Sequence, residues 1–363
     1  MKVGLPEQTF PPGVHRDESP YSRDNKLLRP WKQGGRLALL KKTAAILIIL
    51  ACFFFLGKVL HRNLGELSSY QWSLKPGLVV LSFPLLIANL AISSFAWKRV
   101  LLLFGARLPF QQCFKIMFVS ALGKYLPGKV WPYLGQMYLS GKAEIPRSVT
   151  LLSILLLFGI SSLVGLFAFI SSLFFWGGFS VIEVSLLLSG FTAFVLIILS
   201  PRVLNRLLRT LAFVGNRFRK GLIPQGVTVR GGLGDVSKII LIFVANWVVF
   251  GIALHLLANS FYHFDISQTV ILCGIFALSV ISGTVSFFVP AGLGVREGII
   301  SYLLGSFIPL PVAILISLVL RVWLILGESA CFFVALRIRS QDCGRDASHT
   351  PIIPKCLDAQ SLT

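Results

Sequence analysis

The stretch GKYLPGKVWPYLGQ, residues 123–136, decides how this chain is read. It sets a Pro127-Gly128 break between Lys124 and Lys129, inside a sequence otherwise apolar enough for a bilayer. The runs on either side, 110–122 and 130–139, are each too short to cross about 30 Å of hydrocarbon. Irregular backbone and ionised side chains persist at membrane depth only inside protein or beside a wet cavity. The spacing therefore predicts a helical hairpin that enters and leaves from one side and carries charge at its tip.

A second stretch has the same make-up. PAGLGVRE, residues 290–297, follows an apolar run at 266–289 and precedes one of only about 13 residues, 296–308, roughly 20 Å of helix. A half-helix is the natural reading. The two stretches look like distant counterparts, each an apolar helix, a Pro and Gly turn, a basic residue and a short second helix. Entered from opposite faces they would form an inverted repeat, as in transporters whose broken elements meet near the midplane.

The remainder sets the class. Of 363 residues 55% are hydrophobic and 13% charged, which excludes an ordinary soluble domain and indicates an all-α polytopic membrane protein. Spanning helices are expected at 43–60, 77–97, 148–175, 179–199, 239–259 and 309–336, about six, with the two re-entrant hairpins making eight membrane elements. Residues 1–42 read as a basic tail lacking fixed structure, 43–336 as a single membrane domain and 337–363 as a second tail. The run after Lys41 and Lys42 lacks a small-residue cleavage site and reads as a retained signal anchor.

A net charge of +20 would suggest nucleic acid in a soluble protein, but here lysine and arginine collect in particular loops. The N-terminal tail, the region 98–147 and the loop 202–230 are basic; the intervening connections are not. That bias puts both termini in the cytoplasm. A hairpin at each irregular stretch satisfies it; so do eight elements with the short segment forced across. Two hairpins, the first entered from the cytoplasm and the second from the outer face, are preferred. The six cysteines form no CxxC pair, and neither a metal site nor a cofactor is expected.

Candidate chemistry follows from charge at depth. Lys124 and Lys129 beside the free amides of a helix start, with Trp131 and Gln136 just beyond, would cradle a phosphate. An interfacial loop with snorkelling lysines is the plainer alternative. In the second stretch Gly292 and Gly294 allow a tight turn, Glu297 suits the positive end of the following helix, and Arg296 can reach an anion or a partner. Arg321, near the middle of the last apolar run, costs at least about 2.5 to 3.5 kcal/mol to insert and requires a counterpart. Glu328, Glu297 or a lipid phosphate would serve. Asn89, Asn246, His255 and Asn259 fall in spans and are expected to bond between helices.

KYLPGKVW followed by LGQ, then VPAGLGVREG and an arginine in the last helix, resemble the transmembrane region of lysylphosphatidylglycerol synthase, a family of flippase-like membrane proteins. The likeness spans about 41–339. It implies a bacterial or archaeal inner-membrane protein that handles a lipid. It also implies that Gln136 replaces an arginine common in the family, so a headgroup contact there does not transfer. Without a soluble aminoacyl-transferase domain before Thr363, synthesis of the aminoacylated lipid is not expected. The combined expectation is a transporter whose Lys124, Lys129, Arg296 and Arg321 line a cationic cavity for a phospholipid or prenyl-phosphate headgroup. The alternatives are a membrane glycosyltransferase and an accessory partner of cell-envelope biosynthesis enzymes.

Overall fold

A computed structural model describes residues 74–125, 130–218, 228–229, 231–286, 292 and 294–338. Among them are ten α-helices and no strand. They are α1 (Pro76–Leu103), α2 (Phe110–Ala121), α3 (Trp131–Lys142), α4 (Arg147–Ser172), α5 (Val181–Ile198), α6 (Pro201–Phe218), α7 (Leu233–Asn259), α8 (Ile266–Val285), α9 (Val295–Leu304) and α10 (Leu310–Arg337). Six of these, α1, α4, α5, α7, α8 and α10, are long and apolar enough to cross a bilayer. Five coincide with expected spans, and α8 is the apolar run at 266–289. The expected span at 43–60, both tails, and Pro127, Gly128 and Lys129 lie outside the described residues.

Local chemistry explains the helix starts. Ser180 accepts the N–H of Glu183 at 3.2 Å while the Glu183 carboxylate accepts the Ser180 N–H at 2.8 Å, a reciprocal cap that opens α5. Asp265 precedes α8, and its N–H donates to the Gln268 side chain at 3.1 Å. Pro76 and Pro311 occupy first-turn positions of α1 and α10, where a missing N–H costs nothing.

The frame is an antiparallel pair. Lys75 N–H donates to Ser260 C=O at 3.1 Å, Asn89 Nδ2 donates to Asn246 C=O at 2.8 Å, and Leu103 lies against Gly231. As one number rises the other falls in step, so α1 and α7 run side by side over their full lengths. Asn89 and Asn246 bond between helices as expected. His255 bonds Thr269 of α8, whereas Asn259 folds back onto the backbone of Phe264. Trp97 Nε1 donates to Ser153 Oγ at 3.0 Å and ties α4 to the pair. One apolar core joins α7, α8, α9 and α10 with Leu86 of α1; a second joins α1, α4, α6 and α7.

The short helices sit against this frame. α2 and α3, twelve residues each and so about 18 Å long, fold back on one another. A side chain at Gly135 would meet Ser120, and one at Gly123 would strike the backbone between Trp131 and Pro132. Phe114 and Phe118 of α2 pack with Cys331 and Ala335 of α10. α9 lies between α8 and α10, with Ser301 Oγ donating to Ser317 Oγ at 3.1 Å. The last helix thus touches both short assemblies, and that contact positions the site.

Candidate functional site

Five elements meet at one cavity of about 170 Å³. Lys124 comes from the 3₁₀ turn after α2, Pro132 and Tyr133 from the first turn of α3, Gly283 and Thr284 from the end of α8, Arg296 from the first turn of α9, and Arg321 from α10. Three basic side chains, remote in sequence, therefore border the same small space.

Two glycines make this approach feasible. Gly292 has φ +67°, in the left-handed region that a side chain disfavours. A Cβ there would fall 3.0 Å from both Cα and O of Gly283. A Cβ on Gly283 would in turn fall 2.5 Å from Arg296 Cγ. The aliphatic stem of Arg296 thus crosses two bare backbone positions, and its guanidinium stands 5.5 Å over the Phe276 ring. That stacking holds the guanidinium against the ring.

The acidic groups organise the basic ones. Glu297, at the third position of α9, accepts the N–H of Gly294 at 2.7 Å and places its other oxygen 3.8 Å from Arg321 Nε. Its side chain is 4% exposed and that of Arg321 12%, so the pair sits in a low-dielectric environment where the charges need each other. Glu328, seven residues after Arg321 and two turns along the same face of α10, pairs with Lys124. An ion pair therefore joins each irregular stretch to the last helix, Lys124 to Glu328 and Glu297 to Arg321.

Lys124, Arg296 and Arg321 border the same cavity. Glu297 and Gly294 form the helix start behind them, Gly292 supplies the tight backbone contact, and Trp131 and Gln136 lie on α3 without lining the cavity. Gln136 Oε1 is buried with no hydrogen-bond partner among the described residues. Pro127, Gly128 and Lys129 lie outside them. Gly283 and Thr284 went unnoticed in the sequence because they end an ordinary apolar run; the pair of small residues at that end was the only cue. Among the described residues no cluster of histidine, cysteine, aspartate and glutamate is suited to a metal.

Long apolar helices around a small charged cavity define a polytopic helical membrane protein with a polar interior site. The chain belongs to the lysylphosphatidylglycerol synthase TM region family, whose match covers residues 42–326. That membership connects it with lipid-related processes in a membrane. Comparison with individual curated proteins finds no match.

Proposed function

We propose that the protein binds the phosphate of a membrane lipid in the cavity at Lys124, Arg296 and Arg321 and carries that headgroup between leaflets. The observation that supports this most directly is the meeting of three basic side chains from distant elements around one opening. A guanidinium offers paired donors to phosphate oxygens, and an ammonium adds a point charge. A cavity of this size has the volume of roughly five or six waters. That suits a phosphate with a small substituent while the acyl or prenyl chains stay in hydrocarbon.

In this reading α2–α3 and α8–α9 are re-entrant hairpins entered from the cytoplasmic and outer faces, an inverted pair with its broken ends near mid-depth. Both chain termini are cytoplasmic, and residues 43–336 form the membrane domain. Rocking of the hairpins against α10 would open the cavity to one face and then the other. The short α2, α3 and α9, none long enough to span, support this arrangement.

The test is headgroup movement in proteoliposomes with a fluorescent phospholipid and no sugar donor. Wild-type protein should move label across the bilayer, and Arg321→Leu, monodisperse in detergent, should reduce the rate at least tenfold. Unchanged movement by folded Arg321→Leu overturns the proposal; sugar transfer by the purified protein would replace it with the glycosyltransferase reading.

A further inference from the structure

A second charged cavity, about 240 Å³, opens where α1 ends and α7 begins. Because α1 and α7 are antiparallel spans, this shared end is where both helices leave hydrocarbon, at headgroup level. The floor is apolar, with Leu103 and Ile239 almost fully buried. Arg99 and Lys238, from different helices, flank the opening. Gly231 forms part of its rim, where any Cβ would come within 2.3 Å of the Leu103 side chain.

The charges favour an anion there. The exposed Arg99 pairs with no acid among the described residues; its guanidinium stands 5.1 Å over the Phe95 ring. Lys238 lies 3.6 Å from Asp235, and that carboxylate also accepts the Gly232 N–H at 3.3 Å, so it is shared between two donors. Two cations against one occupied acid leave the opening positive. α6 extends the field: Arg202, Arg206 and Arg209 are exposed, and no aspartate or glutamate occurs in the helix. Asn205 seats α6 beside this end by accepting the Val229 N–H at 2.7 Å and donating to the Val229 C=O at 3.3 Å.

We infer that this cavity is a resident-lipid site, taking the phosphodiester of an anionic phospholipid between Arg99 and Lys238, with the glycerol and upper acyl chain against Leu102, the half-buried apolar residue of the lining. Basic side chains at a membrane surface attract anionic lipid. An apolar floor beneath the cations selects a lipid over a soluble anion. The site is distinct from the cavity at Arg321 and does not depend on transport.

Native mass spectrometry of delipidated protein titrated with phosphatidylglycerol tests it. The variant Arg99→Gln/Lys238→Gln should hold one fewer tightly bound lipid than wild type, with at least a tenfold weaker apparent affinity for that lipid. Its unfolding midpoint should be unchanged, since both residues are solvent-facing. Asp235→Asn, which removes the neighbouring negative charge, should tighten binding severalfold. Equal lipid counts in wild type and the double variant overturn the inference, whatever Arg321→Leu does to transport. Displacement of the lipid by millimolar inorganic phosphate would overturn the assignment to a lipid and leave a soluble-anion site.

Discussion

Arg321 and Glu297 face each other from neighbouring helices, Nε to Oε1 at 3.8 Å, while the other carboxylate oxygen caps α9 through the Gly294 N–H. One buried acid thus both neutralises the α10 arginine and begins the helix that carries Arg296. Removing one member of a buried pair strands the other charge and costs on the order of 3 kcal/mol or more. Glu297→Ala should lower the thermal midpoint in detergent more than Glu297→Gln, which retains an oxygen for the Gly294 N–H. Glu297→Gln combined with Arg321→Met should lose less than the sum of the single changes, the coupling expected of contacting residues. Strict additivity would show that the two side chains do not act on one another.

Gly292 and Gly298 separate backbone demand from mere composition, since both belong to the same glycine-rich stretch. Gly292 has positive φ and touches Gly283, whereas Gly298 sits in α9 with open space where a Cβ would go. Gly292→Ala should cost about 1 to 3 kcal/mol from backbone strain alone. Gly298→Ala should be neutral or stabilise the helix by up to about 1 kcal/mol. Unfolding midpoints of the two purified variants, measured side by side, decide this. Equal losses would mean that α9 is not built as described.

Asn89 tests the frame independently of the cavity. Its side-chain amide donates to the Asn246 carbonyl at 2.8 Å in the middle of the α1–α7 pair. Interhelical hydrogen bonds in membranes contribute about 0.6 kcal/mol on average and rarely more than about 1.7. Asn89→Leu should therefore lower stability by roughly 1 kcal/mol while phosphatidylglycerol binding at Arg99 and Lys238 persists. Loss of that binding together with stability would mean that the lipid site depends on this part of the helix pair.

Long apolar runs declare their helices plainly, because about 20 consecutive apolar residues serve few other purposes. The same arithmetic exposed α2, α3 and α9 as too short to span, and charge at depth singled out Lys124, Arg296 and Arg321. The partner assignments were not legible. Arg321 has Glu328 on its own face and Glu297 on another helix, and only tertiary packing pairs it with Glu297 while Lys124 takes Glu328. Gly283 was equally silent, since its role appears only when Gly292 and the Arg296 stem are laid against it. The cavity at Arg99 and Lys238 escaped for a related reason. Arg99 reads as one of the orienting charges of the region 98–147 and Lys238 falls outside the basic loops; only the packing of α1 and α7 brings the two to one opening.

The Lys124–Glu328 pair distinguishes a tether from a ligand site. Their side chains are 30% and 25% exposed, less shielded than Arg321 and Glu297, so solvent weakens the attraction and single losses should be modest. If the pair only fastens the turn after α2 to α10, the exchange Lys124→Glu/Glu328→Lys should restore both stability and lipid movement to wild-type levels. If Lys124 also presents its charge to the cavity, the exchange puts a carboxylate on its border and moves the cation onto α10. A repelling charge at a phosphate site costs more than a missing attraction. The expected outcome is a recovered unfolding midpoint with headgroup movement still at least tenfold below wild type, read in the proteoliposome assay used for Arg321→Leu. Full recovery of movement would reduce Lys124 to a structural tether and leave Arg296 and Arg321 to hold the phosphate.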